Sequence, residues 1–134
     1  MAPGLWKPLK LAFESFGRDL PALSIPIRWP AAHISDVGHL YRLALEKHEA
    51  GAKYHAVAEE GVPLREIAEV IGRGLKVPVK SIRPEEAPAH FGWLGMFASL
   101  DFPASSTITR EKLGWHPTGP RLIADLIRMN YSPT

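Results

Sequence analysis

Cysteine is absent from the 134 residues. That excludes disulfides and thiolate chemistry, and it makes the reducing cytoplasm the expected compartment. Long apolar runs are absent too: none approaches the ~18 residues needed to span a bilayer, so no membrane partner is expected. Met1 to Leu11 carries Trp6, Lys7 and Pro8 inside its apolar stretch and has no small-residue cleavage pattern, which does not read as a signal peptide. Glu14 and Asp19 argue against a transit peptide. Charge of one sign is scarce. Sixteen Lys and Arg face fourteen Asp and Glu, for a net charge of +2, and no three basic residues are consecutive. A groove that tracks phosphates is therefore not expected, nor a nucleic-acid partner.

What is present suits one folded domain over residues 1–134. Apolar residues make up 46% and charged residues 22%, enough for a core and unlike a disordered chain. Proline is over-represented at thirteen residues. Its dispersal marks the boundaries of many short elements rather than a polyproline ligand.

Helical spacing of Leu9, Ala12, Phe13 and Phe16 predicts a helix from about Pro8 to Phe16. Ser24 to Trp29 reads as a short extended run limited by Pro26, and Ala31 to Ile34 as a second one. Ser35 can cap a helix that buries Val37, Leu40, Tyr41 and Ala44, with Asp36 set against its positive end. Lys53 to Ala58 reads as a strand. A helix starting near Pro63 buries Leu64, Ile67, Ala68, Ile71 and Leu75, and Val77 to Ile82 reads as another strand. Short helices follow at Pro84, at Trp93 to Leu100 and at Thr107 to Leu113. The last is closed by Gly114, with Trp115 as the apolar cap contact. A final helix starts near Thr118 and carries Leu122, Ile123, Leu126 and Ile127 on one stripe. The expected class is α/β: a small, partly parallel sheet with packed helices and a helical C-terminal part.

Four stretches, in order, resemble the C-terminal, substrate-side portion of extended short-chain dehydrogenases/reductases (SDRs), the NAD-dependent epimerase/dehydratase-like family. They are Arg28-Trp-Pro-Ala-Ala-His-Ile-Ser-Asp36, the helix Leu40 to Lys47, the pair Tyr54 to Glu59 and Val62 to Glu69, and Ser105 to Pro117 with its Leu-Gly-Trp-x-Pro ending. The likeness runs from about Trp29 to Asp125, after a divergent helix and strand in residues 1–28. The departures are as telling. A Gly-rich turn that would hold a pyrophosphate is missing, since Gly72 and Gly74 lie in a helix pattern with no third glycine following. The family's Tyr with a Lys four residues later is missing as well. Tyr41 is followed by Leu45, Tyr54 by Ala58, and Tyr131 is nearly terminal. No cofactor site is expected.

The candidate residues each admit two readings. No two of the six histidines are four residues apart, so a metal site is not expected. His39, His48 and His116 read as surface positions. His33, before a helix and three residues from Asp36, is an acid–base candidate or a local hydrogen-bonding residue that fixes the turn. Asp101 is a carboxylate facing a pocket or a helix terminator. Tyr54 and His55 alternate on one strand, so one of them at most faces a given pocket. His33, Asp101 and His55 are the catalytic candidates. Trp29, Tyr54, Phe91, Trp93 and Phe97 are candidates to line a site for a hydrophobic small molecule, or they are core.

Three functions stay open. The chain is a truncated SDR-like substrate region without dehydrogenase activity of its own, because the cofactor carries the redox chemistry. Alternatively it is a repurposed, cofactor-independent isomerase, cyclase or dehydratase. The third reading is a partner for a separate nucleotide-binding subunit. A homodimer is expected, with the helix around Leu9, Phe13 and Phe16 at its interface.

Overall fold

The computed structural model describes residues 20–132. The expected helix from Pro8 to Phe16, and with it that part of the dimer interface, lies outside the described residues. The architecture is α/β: two small two-stranded sheets, with helices packed on them and a helical C-terminal part.

Strand β1 (Leu20–Leu23) is parallel to β4 (Val79–Ile82), in the register Leu20 with Val79 to Leu23 with Ile82. All four β1 residues are buried. Leu20 N–H donates to Pro78 O and Ser24 N–H to Ile82 O, both at 2.8 Å. Donors toward β4 thus fall at alternate positions, and Pro21, which has no N–H, points its nitrogen the other way. The extended run expected at Ser24 to Trp29 is therefore split. β1 ends at Leu23, a turn through Pro26 follows, and β2 (Arg28–Ala31) starts a new antiparallel pair with β3 (Glu59–Pro63).

The second strand expected at Ala31 to Ile34 does not form. Helix α1 (Ile34–Glu46) begins there, and its N-cap is His33, not Ser35. The imidazole Nδ1 accepts the Ser35 N–H at 3.3 Å, which satisfies one of the orphan donors of a helix start. Helix α2 (Leu64–Leu75) starts after Pro63 as expected. It packs Ala68, Val70 and Ile71 against Leu20 and Ala22 of β1 on one side and Leu126 on the other, forming the main core.

Past β4, a 3-10 turn (Pro84–Glu86) leads into α3 (Ala87–Phe91), a second 3-10 turn (Gly92–Leu94) and α4 (Gly95–Ala98). The helix expected over Trp93 to Leu100 is thus a 3-10 turn and a single α turn. Helix α5 (Thr107–Leu113) ends at Gly114 in the left-handed region, φ 66°, whose N–H bonds Arg110 O at 2.8 Å. Trp115 follows, fully buried against Leu40 and Leu113. Helix α6 (Leu122–Arg128) starts four residues later than expected, because its first N–H is taken by the Glu59 carboxylate, 2.7 Å from Leu122 N.

Lys53 to Ala58 forms no strand. Ala58 N–H donates to Ala31 O of β2 at 2.9 Å, and other polar groups of the segment pair with side chains of α5 and its N-cap Ser106. His55 N–H donates to Thr109 Oγ1 at 2.8 Å, and Val57 O accepts from Ser106 Oγ at 2.5 Å and from Arg110 at 3.3 Å.

Candidate functional site

The passage from β2 into α1 is locked to the loop before α6 through Asp36. Although it lies in the first turn of α1, its side chain is buried rather than set out against the dipole. Oδ1 accepts from Thr118 N at 2.9 Å, and Gly119 N donates to both carboxylate oxygens at 3.0–3.1 Å. The Asp36 carbonyl accepts the Trp115 indole N–H at 2.9 Å. Gly119 is required there, since a Cβ would lie 2.8 Å from Asp36 Oδ2 and 2.9 Å from His33 Cβ. Arg110 completes the clamp. It bonds the Val57 and Ala58 carbonyls and lies 5.8 Å over the Trp115 ring.

His33 sits at the edge of this clamp. Its Nδ1 accepts from Ser35 N and lies 2.7 Å from Ser35 Oγ, so that nitrogen is occupied and, in the neutral ring, the proton is on Nε2. Nε2 is 3.9 Å from Asp125 Oδ2, and the His33 side chain keeps 18% of its exposure. One ring nitrogen therefore fixes the turn, and the other faces a carboxylate and solvent.

Asp101 is elsewhere, in a bidentate pair with Arg28. Oδ2 is 2.9 Å from the guanidinium, and Oδ1 takes the Arg28 Nε at 3.2 Å and its backbone N–H at 2.8 Å. These bonds to Arg28 hold the Asp101 carboxyl below the usual carboxylate range and raise the Arg28 guanidinium in turn. His55 forms a third location, its Nδ1 3.2 Å from Ser105 O. The three catalytic candidates thus occupy three separate hydrogen-bonded clusters.

The aromatic candidates divide as well. Tyr54 is half-buried against Leu40, Leu113 and Trp115, and Phe91 is half-buried against Leu23, Ile27, Ile82 and Ala87. Trp29 bonds Leu100 O through its indole N–H at 3.3 Å and packs on Phe102, with ring centroids 6.0 Å apart. By contrast, Trp93 is 79% exposed and Phe97 48%, and Met96, Leu100 and Phe102 are exposed beside them in sequence. An open groove of about 600 Å³ runs between β3 and α6, floored by Val62, Pro63, Ile123 and Ile127, and none of the candidates lines it.

Glu59, Arg110 and Asp125 were not singled out from sequence. Glu59 and Asp125 meet partners dozens of residues away, and Arg110 joins a local bond to Ser106 with distant ones to Val57 and Ala58, so no local spacing marks the clamp. Among the described residues no cluster of His, Asp or Glu is arranged to hold a metal ion, and no helix is long and apolar enough to cross a membrane.

The fold is SDR-like. Over 91% of its length the chain superposes on 37% of RMD from Pseudomonas aeruginosa complexed with NADPH, with TM-score 0.56 and 17% identity. In sequence it is 54% identical over 98 residues to the uncharacterized protein C2A9.02 of Schizosaccharomyces pombe, which covers 73% of this chain and 33% of that protein. It is 49% identical over 104 residues to the uncharacterized protein YLL056C of Saccharomyces cerevisiae, covering 78% and 35%. The chain thus spans about a third of the length of the curated relatives it matches. No family model matches it.

Proposed function

We propose that these residues form the substrate-side region of an NAD(P)-dependent oxidoreductase- or epimerase-like protein, without dehydrogenase activity of their own. The supporting observation is the superposition on just over a third of a chain complexed with NADPH. The 134 residues also contain neither a Gly-rich phosphate turn nor a Tyr with a Lys four positions on. Calorimetric titration of the chain with NAD and NADP tests this. Heats that stay non-saturable up to millimolar nucleotide are expected, and saturable micromolar binding overturns the reading.

The exposed aromatic surface around Trp93 and Phe97 supports a second reading, a site for a hydrophobic small molecule. On that reading the chain promotes an isomerisation, cyclisation or dehydration by positioning and hydrogen bonding alone. His33 is the acid–base candidate, since its Nε2 faces the Asp125 carboxylate and solvent, whereas Asp101 is committed to Arg28.

A further inference from the structure

Ser35, His33 and Asp125 stand in one line of contacts. The Ser35 backbone N–H can only donate, and it is directed at His33 Nδ1, 3.3 Å away. In the neutral ring Nδ1 is therefore an acceptor, so the Ser35 hydroxyl, 2.7 Å from it, donates its proton there. The ring proton is then on Nε2, 3.9 Å from Asp125 Oδ2 and within ion-pair range. His33, not Ser35, caps helix α1, which leaves the Ser35 hydroxyl to the imidazole. Ser35 is exposed, whereas the His33 side chain keeps 18% of its exposure and Asp125 30%. A hydroxyl open to solvent, a base bonded to it and a carboxylate on the far side of that base are the parts of a nucleophilic serine.

We propose that Ser35 is an acyl-accepting nucleophile with His33 as its general base, and that the chain hydrolyses carboxylic esters at the start of α1. Asp125 is a positioning residue: it faces the Nε2 side of the ring and the positive charge that the ring gains. The two ring nitrogens exchange the places they hold in the common Ser-His-Asp arrangement. Either nitrogen can serve, because such a triad is defined by geometry and roles. This activity goes beyond the acid–base role given to His33 above, and it needs neither a nucleotide nor the aromatic surface.

Ser35 Oγ bonds to the ester carbonyl carbon as its proton moves to Nδ1. The tetrahedral intermediate collapses, the bond from carbon to the alkoxy oxygen breaks, and Nδ1 gives its proton to that oxygen. The alcohol leaves and the acyl group stays on Ser35. Water then passes a proton to Nδ1 as its oxygen adds to the acyl carbon. The bond from that carbon to Ser35 Oγ breaks, Oγ takes the proton back, and the carboxylic acid is released. Each time Nδ1 is protonated, the Ser35 N–H loses its acceptor. It is then free to bind the oxyanion at the moment when negative charge is present. The positive end of the thirteen-residue helix α1 lies at the same place.

The full chain is treated with a fluorophosphonate, whose phosphorus a nucleophilic serine attacks with loss of fluoride. One adduct is expected, placed on Ser35 by peptide mass and absent from Ser35→Ala. Cleavage of p-nitrophenyl acetate should be lost in the same variant. His33→Asn keeps a side chain that caps helices and removes the base. It should slow labelling and ester cleavage by about a hundredfold or more, with helix content by circular dichroism retained. Asp125→Asn is expected to slow both by about tenfold or more, and Asp125→Glu to recover part of the loss. No adduct on Ser35, labelling shared evenly with other exposed serines, ester cleavage that survives Ser35→Ala, or a His33→Asn chain that reacts like the wild type overturns the proposal. The nucleotide titration above reads a different property, so either result can fail without the other.

Discussion

Two regions of the molecule, joined by the Arg28–Asp101 pair, are built on opposite plans. In the clamp around Asp36, charged and polar groups find partners far along the chain, and the largest side chain, Trp115, is fully buried. Between Pro84 and Phe102 the chain makes four short helical pieces and leaves Trp93, Met96, Phe97, Leu100 and Phe102 exposed. A buried carboxylate is tolerated only where its hydrogen bonds are met, so the clamp is a stability device. Exposed neighbouring aromatics add little to a fold, and it is on this second region that the proposed hydrophobic-ligand reading rests.

The two largest expected effects test the first half of that contrast. Asp36→Ala leaves the Thr118 and Gly119 N–H groups without their acceptor and opens the link between α1 and the loop before α6. A loss of about 2–4 kcal/mol is expected, seen in urea unfolding and as a melting point lowered by roughly 10 °C. Trp115→Ala should cost about 3–5 kcal/mol, as for other fully buried aromatic truncations. If either variant melts with the wild type, the clamp is not what holds these elements together.

The second half is sharpened by Trp93→Ser with Phe97→Ser. Trp93 is 79% exposed and Phe97 about half, so stability should change by little more than about 1 kcal/mol. Binding of a polycyclic apolar probe, followed by tryptophan fluorescence or calorimetry, should weaken by about tenfold or more if this surface takes hydrophobic ligands. A large drop in melting temperature would place the two residues in the core instead. Unchanged probe binding would remove the surface from the ligand reading.

The contrast also explains what was legible in the sequence. Elements governed by local chemistry were: Pro63 before α2, the Gly114 cap, and the short breaks after Pro84. What escaped depended on distant partners. Lys53 to Ala58 has the alternation of a strand, but its hydrogen bonds go to Ser106, Thr109 and Arg110, about fifty residues on. Asp36 reads as a dipole acid at a helix start, and nothing local says that its oxygens serve Thr118 and Gly119. Tyr41 was grouped with Leu40 and Val37, yet a position about 100° from Leu40 falls on the boundary between faces. Here it turned outward. Among the candidate site residues, the sequence marks side chains of a type able to carry chemistry, such as His33 and Asp101. It gave no means of telling a ligand-facing carboxylate from one held by Arg28.

The smallest expected effect lies at the Arg28–Asp101 pair itself. Both side chains are exposed, 51% and 38%. An exposed pair is screened and contributes little, even with bidentate geometry. Its pH signature is nevertheless distinctive. Hydrogen bonds from Arg28 depress the Asp101 carboxyl below its ordinary value of 3.8, so the native state binds this proton less readily than the unfolded chain. The stabilisation is therefore fully present above about pH 4 and is lost as the pH falls through the depressed value. Asp101→Asn keeps an acceptor for the Arg28 N–H but removes the charge. At neutral pH and low salt it should melt about 1–2 °C below the wild type. The two curves should converge as the pH is lowered below 4, and the gap at neutral pH should shrink in 1 M salt. A gap that persists in acid would show that Asp101 acts here by shape and neutral hydrogen bonding. A gap much larger than a few degrees would make this pair part of the clamp and dissolve the division between the two regions.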